Sequence, residues 1–266
     1  MGAMLWGNSK MKRIIHSMTF ACLVFLSGLG IATAQDEGGP SLTAAEVFFN
    51  CKYNARQGPD DLDDAVEKWN DWMDSNSPRS YFAWTFTSHY VSESDFDFFW
   101  LGVTPDAAAL GAHTDRWRAT GGEAAEAFAE VADCAVHLNI ASLNIKPGTG
   151  APSDNLVISI ANCKVADGRT VDDVIAAGLE WAAYEVENGM NSPSWMWFPV
   201  FGDGAVDLDF RLVKGYSGGH TQLGREVAWY YSSQSWNEAR RTFAGLVQCD
   251  VPRVYNGTLR RYVAPE

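Results

Sequence analysis

Lys52, Asp97 and His137 are the residues of this 266-residue chain whose types best suit proton transfer. A lysine beside a carboxylate and a histidine offers a base, an acid and a carrier that titrates near neutral pH. Asn50 and Asn139 would add hydrogen-bonding groups to such a site, Phe99 and Arg211 would face it, and Trp84 and Trp197 would wall it. The pair Lys52 and Asp97 recurs 112 residues later as Lys164 and Asp209. That recurrence suits two structural ion pairs at least as well as a catalytic one, because buried pairs are often kept without chemistry.

Other chemistries find less support. There is no Gly-x-Ser-x-Gly elbow, no Gly-x-Gly-x-x-Gly and no P-loop. Without Cys-x-x-Cys, His-x-His or His-Glu-x-x-His, no metal site is expected. By position, His113 and His137 are the two candidates for a proximal haem ligand, but neither carries a distinguishing motif, so no cofactor is expected. Gly218-Gly219-His220 reads as a turn rather than an anion cradle.

The elements that must position these residues occur twice. Phe49-Asn50-Cys51-Lys52 returns as Ala161-Asn162-Cys163-Lys164, and Asp95-Phe96-Asp97-Phe98 returns as Asp207-Leu208-Asp209-Phe210. Leu110-Gly111 answers to Leu223-Gly224, and Cys134 to Cys249. A period this long marks a duplicated domain. Each copy reads strand, helix, strand, strand, helix, strand: 46–54, 62–74, 80–90, 95–103, 105–133 with a break at Gly121-Gly122, and 134–145. The second copy runs 155–165, 171–187, 194–202, 206–215, 222–246 and 249–261. The domain plan is thus 35–45 as a flexible tail, 46–146 as repeat 1, 147–154 as a Pro/Gly linker and 155–262 as repeat 2.

The order βαββαβ is the ferredoxin-like unit, in which strands one and four are antiparallel neighbours. Cys51 lies near the end of strand one and Cys134 at the start of strand four, so topology and repeat both select Cys51–Cys134 and Cys163–Cys249 among the three possible pairings. If Cys51 lies under the helices, strict alternation sends Phe48, Asn50 and Lys52 to the other face, with His137, Asn139, Asp95, Asp97 and Phe99. Two such units in one chain resemble the dimeric α+β barrel superfamily, which includes small monooxygenases, EthD-like proteins and haem proteins of the chlorite dismutase and dye-decolourising peroxidase type. The resemblance implies an α+β fold of two fused ferredoxin-like units with facing sheets. The Asn-Cys-Lys start and Asp-Phe-x-Phe strand also resemble uncharacterised exported bacterial proteins of this architecture.

Met11-Lys12-Arg13, an apolar run from Thr19 to Ile31 and Ala32-Thr33-Ala34 form the pattern of a secretory signal, so residues 1–34 are expected to be leader and upstream extension, and the protein periplasmic or secreted. Three of the 20 basic residues (Lys10, Lys12, Arg13) and none of the 33 acidic ones precede Gln35, leaving a formal charge of −16. Such a surface repels nucleic acid and anionic membranes. The expected function is binding of a small apolar or aromatic molecule in a lumen between the sheets. The alternatives are a cofactor-independent monooxygenase or isomerase, and a structural or interaction protein whose interior is filled.

Overall fold

Two strands rich in small and β-branched residues, β1 (Leu42–Tyr53) and β5 (Val157–Val165), organise the rest of the chain. A computed structural model describes residues 41–76, 81–92, 94–148, 152–202 and 207–263; the expected leader lies outside the described residues. β1 pairs with β3 (Phe98–Thr104) on one side and β4 (Ala132–Lys146) on the other, both antiparallel. It begins at Leu42, inside the stretch read as a flexible tail, because residues 42–45 pair with β4 and, from Ala44, with β3. β5 likewise lies between β7 (Phe210–Tyr216) and the last strands, β8 (Val247–Cys249) and β9 (Arg253–Arg261).

β2 (Phe82–Tyr90) pairs with β9, and β6 (Ser194–Phe201) with β4. The order β7-β6-β4-β1-β3-β2-β9-β5, completed by β5 against β7, closes an eight-stranded antiparallel barrel with β8 as a short extra strand on β5. The expected facing sheets are therefore one continuous sheet, and closure removes the free edges that two separate sheets would have exposed. Cys51 is in direct register with Cys134, and Cys163 with Cys249, and both disulfides form. Closing loops of 83 and 86 residues, each bridge contributes about 4–5 kcal/mol in the chain-entropy description.

Helices cover the outside. α1 (Pro59–Asn76) starts with proline in its first turn and Asp60 and Asp61 at the positive end of its dipole. α2 (Ala107–Thr120) is capped by Asp106, which accepts from the Ala109 N–H at 2.8 Å, and α3 (Gly122–Val131) follows after the expected break at Gly121. In the second half α4 (Val171–Glu187) carries a Thr170/Asp173 capping box. The single helix expected over 222–246 is two, α5 (Gly219–Ser232) and α6 (Ser235–Phe243), separated by Gln234 in the left-handed region.

Two kinds of core result. Inside the barrel Ala45, Val47, Phe86, Phe99, Leu138, Ile140 and Val213 pack together, most of them fully buried. Each such large apolar side chain contributes about 1.5–3 kcal/mol. Under α1 and α3, Cys51 joins Leu62, Val66, Trp69, Met73, Trp100 and Val131. Strict alternation fails between these cores. Ala45, Val47 and Phe49 point into the barrel, yet Cys51 belongs to the helix side. The register against β3 slips between Phe48 and Cys51, where Asn50 takes φ 55°. One extra residue in a strand reverses which face the following side chains take. β4 makes the same change, with Cys134 on the helix side and Val136 and Leu138 in the barrel.

Candidate functional site

The change of face disperses the expected lumen site. Asn50 sits exposed in the bulge. Lys52 pairs with Asp95 at 2.8 Å rather than with Asp97, and both side chains are largely exposed. Asp97 accepts from the Tyr53 N–H at 2.7 Å, so it caps the end of β1. The second half repeats both arrangements: Lys164 pairs with Asp207, and Asp209 accepts from the Val165 N–H at 2.7 Å. Asn139, between barrel-facing Leu138 and Ile140, takes the outer face. Phe99 does lie in the barrel, but as packed core against Phe49, Phe86 and Tyr255. Arg211 is buried on the barrel side of β7, where its charge reaches Tyr255. Trp84 and Trp197 lie on the barrel side.

His137 stands elsewhere. With Val136 and Leu138 in the barrel, its ring turns to the helix side and stacks on Phe48, centroids 3.9 Å apart and planes 12° from parallel. Both border a cavity of about 530 Å³ between the sheet and the first-half helices. Its walls are aromatic (Trp69, Phe98, Trp100, Trp117, Phe128), and its polar groups are few. That combination of an apolar concavity and a few convergent polar groups is the usual form of a small-molecule site.

Those groups converge on Glu46, only 8 % exposed. Its Oε1 accepts from the Tyr81 hydroxyl at 2.6 Å and lies 3.9 Å from His113 Nε2; its Oε2 lies 3.2 Å from His137 Nε2. Each residue is delivered by its own element. Glu46 and Phe48 alternate on the helix face of β1, and Tyr81 enters just before β2. α2 buries His113 with Leu110, one turn apart. Tyr81 can reach Glu46 because β3 has glycine opposite: a Cβ on Gly102 would lie 1.8 Å from the Tyr81 hydroxyl oxygen. Burial, then the charge and hydrogen bond of Glu46, hold the Tyr81 hydroxyl well above its ordinary pKa, so it stays protonated as a donor. Burial pulls His113 below its ordinary value against the opposing charge of Glu46, which favours the neutral ring. His137, with half its side chain exposed, connects Glu46 to solvent.

Comparison with known proteins bears on the fold. A protein of Fusobacterium nucleatum provisionally assigned as a monooxygenase superposes with TM-score 0.52 at 12 % identity, covering 84 % of this chain and 93 % of its own. An anthrone oxidase-like protein matches at TM-score 0.47 and 10 % identity, over 84 % and 92 % of the two chains. A mutant chlorite dismutase from Candidatus Nitrospira defluvii matches at 0.48 and 9 %, over 82 % and 91 %. No family model and no curated protein matches the sequence. The chain shares its fold with the Fusobacterium nucleatum protein.

Within this barrel, both histidines weighed as haem ligands border one cavity, but each turns Nε2 toward the Glu46 carboxylate. Among the described residues no group of three or more His, Cys, Asp or Glu is placed to hold a metal ion, and no helix is long and apolar enough to cross a membrane. Sequence reasoning missed Glu46, Tyr81 and Gly102. The available signal was Glu46 itself, one carboxylate inside Ala44-Ala45-Glu46-Val47-Phe48-Phe49, at a position where a covered strand ordinarily carries an apolar residue.

Proposed function

We propose that this chain is an exported protein that binds a small aromatic molecule bearing a hydroxyl or carbonyl group, in the sheet–helix cavity of its first half. The observation that carries this reading is the buried Glu46 carboxylate at the edge of a 530 Å³ aromatic cavity, held by Tyr81 and facing two histidines. A buried carboxylate is costly unless it is paired or used. Export is supported by the two disulfides and the signal-like N-terminus. We further read the halves as fused ferredoxin-like units, supported by the matching orders β4-β1-β3-β2 and β9-β5-β7-β6. Phe86, Phe99, Leu138 and Ile140 pack the barrel lumen where a ligand was expected, so the reading rests on the sheet–helix cavity instead.

The test is titration with 2-naphthol and naphthalene, which differ by one hydroxyl. The reading expects 2-naphthol to bind at least tenfold tighter, and both to be lost when Ala125→Phe fills the cavity wall. Equal affinities, or binding untouched by Ala125→Phe, would overturn it.

One observation favours acid–base catalysis in the same site: Glu46 joins the cavity to half-exposed His137, so a proton taken from a ligand has a route to solvent. Deprotonation beside a carbonyl begins both cofactor-independent oxygenation and isomerisation, which makes 2-tetralone a suitable probe. Solvent deuterium should enter its α-carbon faster with the wild type than with Glu46→Gln. Identical exchange rates in the two proteins, with binding intact, would exclude Glu46 as the base.

A further inference from the structure

At the seam between the two halves, where β2 pairs with β9, two exposed histidines meet over one asparagine. His89 comes from the end of β2 and His220 from the first turn of α5, and their ring centroids lie 4.1 Å apart. Each turns a ring nitrogen toward the side-chain amide of Asn256 in β9. His220 Nε2 lies 2.7 Å from Oδ1, and His89 Nδ1 lies 3.4 Å from Nδ2. Two departures from regular backbone create this meeting. The register of β2 on β9 slips between Ser88 and Tyr90, so His89 is an extra residue whose direction the bulge resets. α5 begins with Gly219 in the left-handed region at φ 63°, which glycine adopts without strain, and His220 follows directly.

Neutral imidazole nitrogens and an amide oxygen suit a divalent transition-metal ion. Asn256 is fixed from behind, since β9 pairs there with Thr87 of β2 and Val157 of β5. Its amide spans the two rings unequally, well bonded to His220 and at the outer limit of a hydrogen bond to His89. An ion about 2.0–2.1 Å from each nitrogen would replace that long contact. Binding asks His220 to carry its proton on Nδ1, a change of tautomer without ionisation. The positive end of the α5 dipole opposes a cation, but at an exposed site that effect is screened and small beside two metal–imidazole bonds. Thiolates do not compete among the described residues, whose four cysteines are all in disulfides. We propose that His89, His220 and Asn256 form a surface site for a divalent transition-metal ion, Cu(II) before Ni(II) or Zn(II) in the general order of affinities, with water completing the coordination. None of the three lines the Glu46 cavity. Because β2 belongs to the first half and α5 and β9 to the second, the bound ion braces the seam and stabilises the folded chain.

Substoichiometric Cu(II), added to the untagged protein and read in ¹³C–¹H spectra of the histidine rings, tests this directly. The His89 and His220 resonances should broaden first, while those of His113 and His137, at the Glu46 cavity, stay sharp. In calorimetric titration with Zn(II), His89→Gln and His220→Gln should each bind at least tenfold more weakly than the wild type. Asn256→Asp exchanges the amide oxygen for a carboxylate and should bind at least tenfold tighter, a gain that a merely structural asparagine does not predict. The proposal is overturned if broadening begins at His113 or His137, if neither histidine substitution weakens binding, or if Asn256→Asp binds no tighter than the wild type. Because the broadening is read on the wild type, a variant that fails to fold would not rescue the proposal.

Discussion

Adding one methyl group at Gly102 should dismantle the Glu46 site from behind. The new Cβ would lie 1.8 Å from the Tyr81 hydroxyl oxygen and 2.4 Å from Cζ, where ordinary contact begins at 3.4 Å. Gly102 lies in the middle of β3, paired with Glu46 on one side and Ala83 on the other, so the backbone has little freedom to yield and the ring must retreat by about 1.5 Å. That breaks the 2.6 Å hydrogen bond to Glu46. Overpacking of this kind costs about 1–3 kcal/mol, and loss of a hydrogen bond to a charged acceptor about 1.5–3 kcal/mol. Gly102→Ala should therefore destabilise by about 3–5 kcal/mol, lowering the Tm by roughly 10 °C in a domain of this size. The control is a double-mutant cycle in urea, followed by tryptophan fluorescence. In a Tyr81→Ala background the methyl group meets no ring, and Gly102→Ala should cost less than about 1 kcal/mol, leaving a coupling energy above about 2 kcal/mol. A loss of the same size in both backgrounds, or a neutral Gly102→Ala in the wild type, would refute the packing argument and with it the placement of Tyr81.

Three further outcomes follow from the same structure. Lys52→Ala should change stability by no more than about 0.5 kcal/mol, because its partner Asp95 is fully exposed, whereas Asp97→Ala should cost about 1 kcal/mol by leaving the Tyr53 N–H without its acceptor; thermal melts of both variants check the contrast. Lys214 joins Glu185 at 2.5 Å and Glu226 at 2.7 Å in a buried network, so Lys214→Met should lose about 3–5 kcal/mol in urea titration, and replacing Glu185 and Glu226 by glutamine as well should restore part of it. Burial holds the folded His113 below the unfolded value near 6.5, so its contribution is complete above pH 6.5 and shrinks as acid is added, since the unfolded chain takes up the proton first; His113→Asn should flatten the slope of unfolding free energy against pH below 6.5, and an unchanged slope would show that His113 is not the group responsible.

How much of this was legible in the sequence differs from residue to residue. The element order was readable because apolar spacing changes cleanly between strand and helix, and the disulfides because topology and repeat constrained them together. α4 matches its expected span, Val171–Glu187, where a capping threonine marks the start. The site was not readable for one local reason. Inward and outward positions were assigned by carrying strict alternation from Cys51 through Asn50 in β1 and from Cys134 along β4, and the change of face in each strand reverses Phe48, His137 and Asn139. An asparagine tolerates positive φ better than most residues, but the same asparagine at 162 shows no slip against β7, so its identity alone does not announce a bulge. His137 was assigned to the barrel face, whereas it lines the sheet–helix cavity.

The bulge also explains why the duplication points to the site only after it is corrected. Counting 112 residues from Glu46 gives Ile158, but the extra residue in β1 shifts the match: Glu46 opposes Gly102 as Ser159 opposes Lys214. The two halves therefore differ most where the cavity lies. Gly102 leaves room for Tyr81 and, behind it, for 530 Å³ of empty space. At the matching position Lys214 sends a side chain into the corresponding volume, where Glu185, Lys146, Glu226, Ser192 and Gln222 close around it. His113 in the first half has Glu226 as its counterpart in the second, counted from the shared Leu-Gly. One half is filled with charges satisfied by one another, and the other leaves its buried carboxylate facing a space. Asp97 and Asp209 recur in both copies in a structural role, each accepting from the backbone N–H at the end of β1 or β5. The proposed ligand site needs only one copy, and the unmatched set Glu46, Tyr81, Gly102 and His113 is what distinguishes the half with the cavity from the half without it.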